Sequence, residues 1–171
     1  WYPHIRRFTI AIQIWIVRRG NDVVLIDSGV GNLKPRPAVR MNMLNTLVPQ
    51  WLAAAGAAPA AVTHMLMTHL HSDRIGWNPV LDGERWVPTF PKARYLVPKA
   101  DFDYFSALNR AGNAADTSFA DSLVPILDAG LATFVGTASE LPAGLEPAEA
   151  FGHTPGQMNY WLRSRGDAGV F

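Results

Sequence analysis

His69, His71 and Asp73 occupy alternate positions of Thr68-His69-Leu70-His71-Ser72-Asp73-Arg74, directly after an apolar run. On an extended backbone, side chains two positions apart share a side, so the two imidazoles can converge on one ion. Asp73 joins them only where the backbone turns. It adds a hard oxygen donor to borderline nitrogens, a mix suited to zinc, iron or manganese. Taken alone, the motif also reads as two histidines in a polar surface loop. His153 weighs against that, because Gly152-His153-Thr154-Pro155-Gly156 is a second loop that follows a strand-like run. Its glycines permit positive φ and its proline stiffens the turn, so the imidazole is held in place. Three neutral imidazoles plus a water form a catalytic zinc arrangement in which the pKa of the water falls toward about 7. Arg74 is the departure, since a permanently protonated guanidinium has no lone pair for a metal. It reads as an electrophilic clamp on a substrate carboxylate or oxyanion, as the mark of a site that has lost catalysis, or as a side chain turned outward to a surface acid.

The elements that must position these residues follow from the apolar pattern. Residues 61–67 form an apolar strand delivering the chain into the histidine cluster, and in layered α/β proteins the carboxyl ends of strands are where ligands bind. Residues 5–17 and 23–26 read as a hairpin around Arg18-Arg19-Gly20-Asn21-Asp22. Its second strand is apolar on both faces and ends in Asp27-Ser28-Gly29, which puts an acid at an interior strand end. Residues 29–44 form a long irregular loop, more often functional than idle. Helices are expected over 45–55, with Gly56 where a helix C-cap would go, and over 99–108. A further helix is expected to be capped by Asp121 or Ser122, with Pro125 in its first turn and Leu127 and Leu131 inward. Residues 93–97, 145–151 and 158–163 read as strands, 110–117 as loop, 81–91 as a polar segment, and Arg165-Gly166-Asp167 as a turn. His64 reads as structural and His4 as solvated, while Trp77 and Trp86 suit either packing or an apolar substrate pocket.

With 171 residues, 49% hydrophobic and 17% charged, the chain suits one globular domain. Absence of cysteine excludes a disulfide framework and a thiolate site, so any metal must be held by His, Asp or Glu. No apolar run reaches the roughly 18 residues of a membrane span. The reading is a soluble protein without membrane or nucleic-acid partners, with cytoplasm favoured and periplasm or secretion left open. Residues 1–40 carry seven Lys/Arg against two Asp, which suggests a basic surface patch but not the dense stripe of a nucleic-acid binder. The start without methionine and the strand-like end at Phe171 suggest a piece of a longer chain.

Thr68-His69-Leu70-His71-Ser72-Asp73-Arg74-Ile75-Gly76 resembles the Thr-His-x-His-x-Asp-His-x-Gly signature of the metallo-β-lactamase superfamily. Leu25-Ile26-Asp27-Ser28-Gly29 is similar to that family's Asp-bearing strand end, and the His153 loop to its third ligand loop. The Val30-Gly31-Asn32 loop and the Gly76-Trp77-Asn78 turn look most like the lactonase-like branch. The resemblance implies an α/β class fold, an αβ/βα sandwich of mixed sheets flanked by helices, present in part as a single domain over 1–171. It implies a first metal on His69, His71 and His153, with Asp73 on a second metal and Asp27 supporting the histidine loop. Arg74 stands where the family has a second-metal histidine, so one zinc ion is expected, with iron or manganese compatible and a second metal doubtful. The implied activity is a metal-dependent hydrolase directing an activated water at a lactone, ester or amide carbonyl of a small molecule. The candidate catalytic residues are Asp73, to orient the water or act as base, and Arg74, on its own chemistry as a clamp. Homo-oligomerisation stays open. The alternatives are an inactive binding module of the same fold and, ranked lower, a one-iron thiol dioxygenase.

Overall fold

A computed structural model describes His4, residues 10–112 and residues 117–171. The hairpin forms from β1 (Trp15–Arg19) and β2 (Asp22–Ile26), with Gly20 at φ 59° in its turn. Its first strand starts later than expected, and Arg18 and Arg19 belong to it rather than to the turn; residues 5–9 of that expectation lie outside the described residues. β3 (His64–Leu66), β6 (Arg94–Pro98) and β7 (Ala132–Val135) add to β2 in parallel, giving a five-stranded sheet in the order β1-β2-β3-β6-β7. The polar segment at 81–91 is in fact a second hairpin, β4 (Pro79–Asp82) and β5 (Arg85–Pro88), turned by Gly83 at φ 60°. β8 (Leu145–Glu149), β9 (Met158–Ser164) and β10 (Asp167–Val170) form an antiparallel sheet, so Asp167 starts a strand instead of closing the turn.

The main sheet is apolar on both faces because it separates two cores. In register across β2, β3 and β6, Leu25, Met65 and Tyr95 share one core, and the next residues along, Ile26, Leu66 and Leu96, share the other. This is the period of two expected of a strand buried on both sides. On the first face pack α1 (Val48–Ala54), through Leu52, and α3 (Lys99–Arg110), through Phe102 and Phe105. On the second face lie Leu145, Met158 and Tyr160 of the antiparallel sheet. The layering is therefore helix, sheet, sheet. Every parallel strand of the main sheet points its carboxyl end at one edge, where the histidine loop departs.

Two helical expectations change. The segment after residue 117 enters as a π-helical turn, Phe119–Leu123, running into α4 (Val124–Asp128). Pro125 does sit in the first turn of α4, and Leu127 and Leu131 pack against the core, but Asp121 caps nothing. Its carboxylate instead accepts from the Lys34 ammonium at 3.1 Å and from Arg36 at 2.6 and 2.8 Å. Lys34 and Arg36 are 1% and 4% exposed, so two cations of the expected basic surface patch are buried. They fasten the 29–44 loop to the π turn, and the Lys34 ammonium also stands 3.9 Å above the Trp86 ring. Burial draws the Lys34 pKa down to about 8, against the pull of Asp121.

Burial opposes the charge of Asp121, but hydrogen bonds from Arg36 and Ser122 and the charge of Lys34 outweigh it and hold the carboxyl below its ordinary 3.8. A depressed carboxylate stabilises the fold fully above pH 3.8 and loses that contribution as pH falls below it. Asp121→Asn is expected to cost about 3–5 kcal/mol at pH 7, because it leaves two buried cations without a counter-charge. Urea unfolding at pH 7 and at pH 3 checks this, and the difference between the two proteins should shrink at the lower pH.

Candidate metal centre

β3 hands the chain to a loop at the carboxyl edge of the sheet, followed by the single turn α2 (Ser72–Ile75). The β8–β9 connection brings His153 to the same place. Ligand atoms of His69, His71 and His153 lie within 4.8 Å of one another. The ring centroids stand 4.9 Å apart for His69–His71, 4.7 Å for His69–His153 and 4.6 Å for His71–His153, each pair nearly perpendicular. Nδ1 of His71 faces Nε2 of His153 at 3.0 Å. No ring is stacked on another, and ligand nitrogens this close can share one point.

His69 is 3% exposed, and its Nε2 is buried without a hydrogen-bond partner. A buried imidazole nitrogen left bare is costly unless something else uses the lone pair. Its other nitrogen shows that the lone pair is on Nε2. The Thr68 hydroxyl lies 2.8 Å from Oδ2 of Asp27 and 3.0 Å from Nδ1 of His69. That hydroxyl has one proton, which goes to the carboxylate, so its oxygen accepts from His69 Nδ1–H and the tautomer is set. Burial, then the neighbouring His71, His153 and Arg74, draw the pKa of His69 down to about 3, so it stays neutral at pH 7 and ready to donate. The chemistry of this donor set fits one borderline divalent ion.

Asp27 is placed by its backbone. It sits at φ 56°, a left-handed conformation that Asp tolerates better than most residues, and this turns the chain at the end of β2. Its Oδ1 accepts the Thr68 N–H at 2.8 Å. Burial pushes its pKa up to about 6, against the Thr68 hydrogen bonds and the Arg74 charge, which leaves it ionised at neutral pH. The 28–31 and 74–76 segments are stitched together: Ser28 N–H donates to the Arg74 carbonyl at 2.6 Å and Gly76 N–H to the Gly29 carbonyl at 2.7 Å. A Cβ on Gly76 would meet the Val30 carbonyl oxygen at 1.8 Å, so only glycine allows this approach.

Asp73 is not part of the histidine group among the described residues. Its carboxylate pairs with Arg74 Nε at 3.4 Å, and Nη1 of Arg74 lies 3.6 Å from Asp27 Oδ2. Arg74 therefore does not turn outward to a surface acid; it spans the two acids of the site. A cavity of about 160 Å³ is lined by Asp27, Thr68, His69 and Arg74 together with Trp15 and Gln157. Neither Trp77 nor Trp86 lines it. Trp77 is 4% exposed and packs in the core, and Trp86 serves Lys34. His64 is structural, bonded to Thr63 at 3.0 Å, and His4 is exposed. Sequence reasoning gave no role to Thr68, whose place directly before the histidine motif and within reach of an acidic strand end was the available signal.

Three imidazoles converging at the carboxyl edge of a layered α/β domain define a candidate metal centre. A family model described as the metallo-beta-lactamase superfamily matches residues 9–170, and the chain belongs to that superfamily. Solved structures share the fold, with this chain supplying helix, sheet and sheet of their αβ/βα sandwich. Hydrolase AbOPH of the beta lactamase superfamily is 25% identical with a TM-score of 0.70, over 91% of this chain and 53% of its own. AidC, described as a dizinc quorum-quenching lactonase, is 21% identical at TM-score 0.68 over 92% of this chain and 54% of its own. A probable metal-dependent hydrolase from Staphylococcus aureus is 20% identical at TM-score 0.74, over 91% and 55%. The chain thus spans about half the length of these structures. No curated protein matches it. No helix among the described residues is long and apolar enough to cross a membrane.

Thr68→Val removes the hydroxyl that joins Asp27 to His69 while keeping the branched shape. It is expected to weaken zinc affinity about 10–100-fold, read by competition against a chromophoric chelator, with Thr68→Ser close to wild type. Equal affinities for all three proteins would contradict the assigned tautomer.

Proposed function

We propose that the chain carries the centre of a metal-dependent hydrolase acting on a lactone, ester or amide carbonyl of a small molecule. The observation that carries this is the bare, buried Nε2 of His69 among two further imidazoles. A bound zinc, iron or manganese ion would supply Lewis acidity, lowering the pKa of a water and polarising a carbonyl. His69, His71 and His153 would hold it, and Asp27 and Thr68 keep His69 aimed. Asp73, 27% exposed at its side chain, borders the cluster in sequence and would orient the attacking water or take its proton. Arg74 presents a fixed positive charge beside the same cavity, where it would clamp a substrate carboxylate or the oxyanion that develops on the carbonyl.

The arrangement favours one ion. Asp73, the residue that the family resemblance assigns to a second metal, is engaged by Arg74, and the guanidinium places a positive charge where a second cation would be repelled. Iron or manganese would suit the same donors, and the small-molecule substrate is inferred from the likeness to metallo-β-lactamase-fold hydrolases.

Metal-loaded protein is expected to hydrolyse members of a lactone, ester and amide panel, to lose that activity with a chelator and to regain it with zinc. Arg74→Ala should keep its metal and lose about 10²–10³-fold in kcat. Loaded protein that turns over nothing in the panel would point to the inactive binding module, and oxygen uptake with a persulfide would point to the dioxygenase.

A further inference from the structure

Asp101 is fully buried, with 0% exposure, yet it takes part in none of the ion pairs seen among the described residues. It lies in the first turn of α3, where an acidic side chain ordinarily bonds the free N–H groups of its own helix. Here it does not: α3 has no side-chain cap. Oδ2 accepts the N–H of Leu70 at 2.9 Å, and Oδ1 accepts the N–H of Gly156 at 2.8 Å. Leu70 lies between two of the histidines and Gly156 three residues beyond the third. One carboxylate thus holds both ligand-bearing loops, which are 86 residues apart in sequence, against the start of one helix.

We propose that Asp101 is a positioning residue for the metal centre, a buried clamp that sets the distance between the His69–His71 loop and the His153 loop. This rests on the three-histidine reading above. The chemistry calls for a carboxylate, since an ionised carboxyl is acceptor-only and can satisfy two N–H donors, while an amide must turn its own NH₂ toward one of them. Burying such a charge is costly unless it is hydrogen-bonded, and both bonds here go to the ligand loops. The close approach needs Gly156 as well, because a Cβ there would meet the Asp101 nitrogen at 2.1 Å. The loops also meet directly, through Met158 N–H and the Thr68 carbonyl at 2.9 Å, but that bond lies on the far side of His69 from Leu70. The clamp holds the chain on the other side, between His69 and His71.

The test uses Asp101→Asn, read by zinc competition, by the visible spectrum of the cobalt-loaded protein and by amide exchange. The variant is expected to bind zinc about 10–100-fold more weakly and to show an altered cobalt spectrum. Protection should be lost at Leu70 or Gly156 while the β3 amide of Met65 stays protected. Wild-type zinc affinity in the variant, beside a wild type that binds zinc, overturns the clamp and leaves the metal reading standing. A wild type that binds no metal overturns the metal reading and the clamp with it. If the variant does not fold, exchange in wild type decides: slow amides at Leu70 and Gly156 support the clamp, and free exchange at either overturns it.

Discussion

His69 is held from both sides by buried carboxylates. The N–H before it, of Thr68, goes to Asp27 at 2.8 Å, and the N–H after it, of Leu70, goes to Asp101 at 2.9 Å. Each acid comes from a different element of the main α/β layer, one from the end of β2 and one from the start of α3. Hydrogen bonds to ionised acceptors are about twice as strong as neutral ones, so the loop is fixed at the two points that decide where its imidazole looks. The rest of the centre is arranged around that constraint. Thr68 converts the Asp27 contact into a choice of tautomer, and Asp101 extends the hold to the His153 loop.

Such an arrangement buries acidic groups, which the fold satisfies with backbone N–H donors at Asp101 and with a neighbouring cation at Asp27. Arg74 lies across Asp27 and Asp73, and Asp121 sits between Lys34 and Arg36. The second cluster lies outside the site, yet it fastens the 29–44 loop, whose first glycines run against Gly76 at the end of α2. Buried pairs of this kind contribute little net stability and fail badly when one partner is removed. Their effect is to fix loops that have no regular hydrogen-bond ladder of their own.

Much of this was legible in the sequence because it follows from period and motif. The apolar run at 23–26 and the largely apolar run at 61–67 announce buried strands, and the histidine spacing announces a metal site at the end of the second. The β4–β5 hairpin was hidden because its partly exposed strands carry Leu81, Asp82, Arg85 and Trp86 without a clean alternation. Asp121 looked like a helix cap because Asp is common there; its partners are 85 and 87 residues away, a separation that local pattern does not encode. Asp101 was invisible for a related reason. An acid in the first turn of a helix is ordinary, and only the tertiary structure shows that its oxygens point to two distant loops. Arg74 was recognised as the departure from the family signature, but its position between two acids, and with it the disengagement of Asp73 from the histidine group, needed coordinates.

The central claim is that three histidines share one metal ion. X-ray absorption on zinc-loaded protein, combined with elemental analysis, tests it most directly. The account predicts close to one zinc per chain, with nitrogen scatterers from three imidazoles at about 2.0–2.1 Å. Protein that retains no metal after removal of excess ion, or a zinc shell with fewer than three imidazoles, would contradict it.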